Sequence, residues 1–122
     1  MSDKLYKLSR KADNLVLATR LKLRDDFFGR FMGLMFVKEL SDGEGLILEP
    51  TNSIHMFFMR FAIDALFLDA KNTVVACYDS LRPWIGFSSW HRSAVRVVEL
   101  KAGILAKNSV KIGDEFDLTE NK

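Results

Sequence analysis

The sequence predicts a mainly β domain, a small sandwich or barrel of about seven short strands with one or two short helices. Three observations carry that expectation. Apolar and polar residues alternate by period two over several short stretches, clusters rich in Gly, Asp and Asn separate those stretches, and helical spacing of apolar residues is confined to two brief segments.

At 122 residues and 48% hydrophobic, the chain is long enough for one domain with a core and too short for two. The expected division is a flexible N-terminal segment over residues 1–13 and a single mainly β domain over residues 14–119. Eighteen basic and sixteen acidic residues leave a net charge of +2, without the clustered positive charge of a nucleic-acid binder. The early excess, eight Lys or Arg against four Asp in residues 1–30, reads as a solvated face. A single cysteine, Cys77, excludes an internal disulfide, a Cys-based zinc site and a thioredoxin-type pair, and its Val-Val-Ala-Cys-Tyr setting is that of a buried small residue. No apolar run follows the first charges and none approaches the roughly 18 residues of a membrane span, so a cytoplasmic protein without membrane contact is expected.

Met1–Lys11 is polar and lacks a clear period, as in a frayed terminus. From Asn14 a strand begins, with Leu15, Leu17, Thr19, Leu21 and Leu23 on one face and Arg20, Lys22 and Arg24 on the other. Asp25 or Asp26 then caps a short helix over Phe27–Phe36, where Phe27, Phe28, Phe31, Leu34 and Met35 recur at helical intervals. Gly29 and Gly33 weaken that helix and suit close packing on a sheet. Ser41-Asp42-Gly43-Glu44-Gly45 is a turn, and Gly-Leu-Ile-Leu-Glu-Pro is a strand ended by Pro50. Two further strands, Ile54–Phe61 and Ile63–Asp69, meet at a bend near Ala62; the first is apolar on both faces, the pattern of a strand covered front and back, and on the second Asp64 lies with Leu66 and Leu68 opposite Ile63, Ala65 and Phe67. Asp69-Ala-Lys-Asn72 turns the chain into a strand over Thr73–Tyr78. Leu81–Ser93 has no period, and a loop that long in a small domain is usually functional. Ala94–Leu100 resumes the strand pattern, with Val95, Val97 and Glu99 opposite Arg96, Val98 and Leu100. Gly103–Asn108 makes one or two helical turns, Ile112-Gly113-Asp114 is a turn, and Glu115–Leu118 is the last strand.

His55, Arg60 and Asp64 stand out because they lie in the most apolar stretch of the chain. His55 and His91 are the only histidines, so a His-based metal site would need both together with Asp64 or Asp69, and nothing in their spacing favours this; neither metal nor cofactor is expected. His55 reads as a core histidine with its nitrogens hydrogen-bonded. Arg60 and Asp64 could pair or cap backbone groups at the bend, with Asp64 accepting hydrogen bonds that fix the fold. As a general base Asp64 would need a partner in a cleft, and no Ser-His, Cys-His or paired-carboxylate signature accompanies it. Trp84, Phe87 and Trp90, flanked by Arg82, His91 and Arg92, are the best binding candidates, since Trp and Arg dominate binding hot spots. The same aromatics could instead fold onto an open end of the sheet.

Gly33-Leu34-Met35, Gly45, His55-Met-Phe-Phe-Met59-Arg60-Phe61, Ile63-Asp64-Ala-Leu-Phe-Leu-Asp69, Val98-Glu99-Leu100 with Gly103, and Gly113-Asp114 form an ordered set from about Val16 to Leu118. In this set the chain resembles the domain of unknown function 192 family. The resemblance implies a compact mainly β domain of bacterial and archaeal proteins, some of them exported, and no established activity. The chain departs from the family at Ala62, where a proline is common, which bears on the angle of the local bend. The expected function is a non-catalytic accessory domain that binds a small ligand, glycan or protein segment through Arg82, Trp84, Trp90, His91 and Arg92, with His55 and Arg60 contributing, and no nucleic acid or membrane. Asp64, Gly33, Gly113 and Asp114 are expected to serve structure. The alternatives are an enzyme using His55, Arg60 and Asp64 on a small anionic substrate, and an interaction module with the loop as dimer interface. The expected state is a monomer or weak dimer.

Overall fold

All six residues of one strand, Ile63–Leu68, are buried, and the architecture is arranged to cover both of its faces. The computed structural model describes residues 4–26, 39–54, 56 and 59–121. Within them the chain forms β1 (Leu5–Arg10), β2 (Val16–Arg24), β3 (Glu44–Leu48), β4 (Ile63–Leu68), β5 (Val74–Leu81), β6 (Arg96–Lys101), a short helix α1 (Ile104–Lys107) and β7 (Phe116–Glu120). The seven strands make one sheet in the order β5-β4-β6-β3-β2-β1-β7. Neighbours are antiparallel except β2 and β3, which are parallel.

The sheet curls until its two edges meet at one end without closing into a barrel. Thr73 and Glu115 form a bridge there, with Val74 N donating to Asp114 O and Gly113 N to Val74 O, each at 2.9 Å. Leu8, Leu17, Leu21, Ile47, Leu66, Val74, Val98 and Phe116 pack together inside the curl, so every strand contributes to this core, and Leu105 of α1 joins it. The other face is narrower. Ile63, Ala65 and Phe67 of β4 lie there with Leu46, Leu48, Ala76 and Val97, covered by Leu40, Ile54, Met56, Met59 and Ala94 from segments outside the strands.

A mainly β domain with a short helix near Gly103 agrees with the sequence reading, and two elements differ. Leu5–Arg10 is not a frayed end of a flexible residues 1–13 segment but β1, flanked by β2 and β7. Its apolar signal is short because only Leu8 is fully buried, and the ladders on both sides hold it. The second difference is Ile54–Phe61, whose described residues are not in a strand: Ile54, Met56 and Met59 point into the core from an irregular segment. An apolar run on both faces fits a buried irregular segment as well as a central strand. The helix expected over Phe27–Phe36, with Gly29 and Gly33, lies outside the described residues, as does His55.

Two polar clusters fix the ends of the curl. Arg10 donates to both carboxylate oxygens of Asp13, at 3.1 and 2.8 Å, and to Asn108 O at 2.8 Å, and it lies 3.6 Å from Asp114. Asp114 in turn accepts from Lys111 N at 3.1 Å, across a turn in which Gly113 takes a positive φ of 96°. Asp64 is fully buried within β4. One of its oxygens accepts from Ser80 N at 2.8 Å and the other from Leu105 N at 2.9 Å, so a single carboxylate joins β4, the end of β5 and α1. Asp64→Asn places an amide donor against one of these N–H groups, and the expected cost is roughly 1.5–3 kcal/mol of stability. A denaturant midpoint equal to that of the unaltered protein would refute this role.

Candidate functional site: an aromatic ribbon on the outer face

Residues 82–91 pair with Asn52, Ile54 and Met56 through backbone bonds, although none of these three residues lies in a regular strand. His91 N donates to Asn52 O, Ser88 N to Ile54 O, Met56 N to Gly86 O and Trp84 N to Met56 O, all at 2.9 Å. Ser88 adds its hydroxyl, which accepts from Ile54 N at 2.8 Å. Gly86 is required at the tight end of this ribbon, because a Cβ there would sit 2.7 Å from Arg82 O and 2.9 Å from Arg82 N. At the other end His91 packs against Phe67 with its ring tilted by 60° and the centroids 4.8 Å apart, and its Nε2 lies 2.7 Å from the Tyr78 hydroxyl. That hydroxyl also accepts from Ser89 N at 3.0 Å. The loop is therefore anchored along its length.

Its inner side is covered, with Ile54, Met56 and Ser88 buried, while its outer side keeps large apolar groups in water. Trp84 is 52% exposed, Ile85 66%, Phe87 71% and Trp90 70%. Arg82 and Arg92 flank this patch and are exposed, and so is Arg60, which follows Met59, whose N–H donates to the same Met56 oxygen that Trp84 uses. Among the described residues none of these three arginines has an ion-pair partner. Arg82 and Trp84 thus lie at the Met56 end of the ribbon, near the segment that carries Arg60, and Trp90, His91 and Arg92 lie at its Asn52 end. Asp64 is elsewhere: it follows the alternation of Leu66 and Leu68 into the curl, and backbone donors, not Arg60, satisfy it.

Glu99 was not singled out by sequence reasoning, although the alternation that put it with Val95 and Val97 on an apolar face was the signal. It lies between Leu46 and Ala65 of the adjoining strands and is only 5% exposed. It makes no side-chain hydrogen bond to another described residue. Burial alone pushes its carboxyl up to about 7. Burial, aided by the charges of Asp79, Asp114 and Asp64, pushes the Cys77 thiol up to about 11, which removes it as a nucleophile at neutral pH. Among the described residues no group of three His, Cys, Asp or Glu could hold a metal ion, and no helix is long and apolar enough to cross a membrane.

The fold and ribbon define a small domain built on one curled sheet, with an exposed aromatic loop fixed to its outer face. The chain belongs to the domain of unknown function 192 family, described as Uncharacterized ACR, whose model matches residues 8–118. A UPF0127 protein of Thermococcus sibiricus is 36% identical over 114 residues, covering 90% of this chain and 73% of the relative. Two solved structures share the fold at 22% identity. One is a protein of unknown function from Novosphingobium aromaticivorans, with a TM-score of 0.80 over 92% of this chain and 82% of that one. The other is a candidate transcription regulator of Sinorhizobium meliloti, with a TM-score of 0.77 over 96% of both chains.

Glu99 sets a pH dependence whose sign follows from its raised carboxyl. Between about 4.5, the ordinary value, and about 7, the folded protein holds a proton that the unfolded chain has released. Stability is therefore highest on the acid side of that window and falls as pH rises through it, by about 3 kcal/mol in total. Urea unfolding of the unaltered protein and of Glu99→Gln, at pH values across the window, checks this. The variant should lose that part of the slope, and identical profiles would show that Glu99 does not cause it.

Proposed function

We propose that the protein is a non-catalytic binding domain that holds a segment of a partner protein on the 82–91 ribbon. The observation that carries this reading is the exposure of Trp84, Ile85, Phe87 and Trp90 on a loop whose backbone is already bonded in place. A patch of Trp, Phe and Arg has the composition of binding hot spots, and a prearranged backbone spares most of the ordering cost of association. Each of the four side chains leaves half or more of its surface in water, whereas the walls of a small-molecule site are concave and largely covered. This favours a protein segment over a small ligand or glycan. The catalytic alternative through Asp64 has less support, since both carboxylate oxygens are taken up by backbone N–H groups and Arg60 is not beside them.

The reading is tested with a photo-crosslinking amino acid at the exposed position Ser89, in cells, with adducts identified by mass spectrometry. A discrete heterologous adduct that is lost in Trp84→Ala/Trp90→Ala supports it. An adduct insensitive to the double variant, or none, overturns it, and an adduct between two copies of the chain moves the role to a dimer interface.

A stability measurement accompanies that experiment. Trp90→Ala should change folding free energy by no more than about 0.5 kcal/mol, as at other exposed positions, and acrylamide should quench the indole readily. A cost of about 3–5 kcal/mol in the monomer is the signature of a buried Trp and would make the loop part of the core.

A further inference from the structure

We infer that the segment held by the ribbon is acidic as well as apolar, its carboxylates facing Arg60, Arg82 and Arg92 while its apolar side chains cover Trp84, Ile85, Phe87 and Trp90. This rests on the reading of the ribbon as a protein-binding surface. The supporting observation is a charge asymmetry confined to the two stretches that build it. Residues 50–63 and 80–95 contain Arg60, Arg82 and Arg92 and not one Asp, Glu or Lys, in a chain with sixteen acidic residues. Elsewhere Arg10 pairs with Asp13, Arg96 with Glu49 and Lys101 with Asp42, while Lys7, Lys71 and Lys111 resemble the ribbon arginines in having no ion pair among the described residues, so the asymmetry rests on the absence of acids from the two stretches. The three ribbon arginines are exposed and have no ion-pair partner among the described residues. The acids next to these stretches in sequence do not neutralise them: Glu49 pairs with Arg96, Asp64 is buried inside the curl, and Asp79 is exposed on β5 without an ion pair to any of the three.

Unpaired guanidinium groups beside aromatic faces are strong sites for carboxylates, since the planar donor fork meets the two oxygens together. Arginine without lysine is also the composition of protein interfaces, where Arg is enriched and Lys depleted. A phosphodiester backbone or an anionic bilayer would be served by a denser basic cluster, typically about four to eight Lys or Arg for a lipid surface, and a phosphodiester backbone gives Ile85 no apolar partner. Three arginines on the segments that carry an exposed apolar patch match a partner segment that carries both carboxylates and apolar side chains.

The test is a selection of random displayed peptides on the intact protein, with affinities of the selected peptides then measured by fluorescence anisotropy. Selected sequences should be enriched in Asp and Glu together with Leu, Phe or Trp. Their binding should weaken at least about tenfold in Arg82→Glu/Arg92→Glu and weaken further with added salt, while the melting temperature of that variant stays unchanged. Peptides that need Trp84 and Trp90 but show no acidic enrichment and no loss in the charge-reversed variant would overturn the acidic partner and leave the binding ribbon standing. Peptides indifferent to Trp84→Ala/Trp90→Ala, or a selection that yields none, would remove both. Single-stranded DNA and phosphatidylserine vesicles are assayed in parallel, and ribbon-dependent binding of either, tighter than that of any peptide, would assign the arginines to phosphate instead.

Discussion

A strand buried on both faces is the constraint from which the rest of the molecule follows. Apolar residues on each side of β4 require two covers, and the sheet supplies only one by curling on itself around Leu66 and Leu68. The other cover has to come from chain outside the sheet. Leu40, Ile54, Met56 and Met59 from the segments before β4, and Ala94 from the 82–94 segment, provide it by packing onto Ile63, Ala65 and Phe67. Because Asn52, Ile54 and Met56 bond to the 82–91 ribbon by backbone groups, its inward side is committed and its outward side is free to carry Trp84, Ile85, Phe87 and Trp90. The exposed patch is thus seated on the hydrophobic core itself.

Two buried carboxylates on adjoining strands show how differently one sheet can accommodate an acid. Asp64 pairs in register with Leu100, and Glu99 with Ala65, so the two are neighbours along the ladder that face opposite sides. Inside the curl Asp64 gives each oxygen a backbone N–H, from Ser80 and from Leu105, and thereby closes the end of β5 against α1. On the outer face Glu99 has no such donors among the described residues, and burial holds its proton to about pH 7. The first acid is fastened by hydrogen bonds and the second is kept neutral by the apolar groups around it. Only the first can tie elements together.

What could be read from the sequence was what repeats with a short period. β2 and β6 show alternation strong enough to locate them, β4 shows as a short apolar run, and the turns at Asp69–Asn72 and Ile112–Asp114 announce themselves by their residues. β1 does not, because a strand held by ladders on both sides needs little apolar alternation of its own. Ile54–Phe61 misleads for the opposite reason: it is as apolar as a central strand, yet its described residues lie outside regular strands, and Ile54 and Met56 bond instead to residues 84–88 of the loop. The exposed aromatic patch was legible as a candidate, since Trp84, Phe87 and Trp90 stand in a loop without a period. Its exposure was not, because the side on which a loop presents its aromatics depends on anchors such as Tyr78 and His91 that are remote in sequence. Glu99 stands as an acid on an apolar face in the alternation, but its burial is set by the neighbouring strands β3 and β4, which the local pattern does not show.

An exposed apolar patch is a hazard for any protein, since it invites contact with copies of itself as readily as with a partner. The distribution of charge on the ribbon bears on that competition. A two-fold dimer places the same surface on both sides of the contact, so Arg60, Arg82 and Arg92 of one copy would approach the same three residues of the next with no acid from either ribbon between them. Like charges brought together in a desolvated contact oppose association, while a complementary rim favours it. The residues that make the patch attractive to an acidic segment are therefore the ones that make it repel itself, and discrimination between the two occupants rests on the absence of Asp and Glu as much as on the presence of Trp.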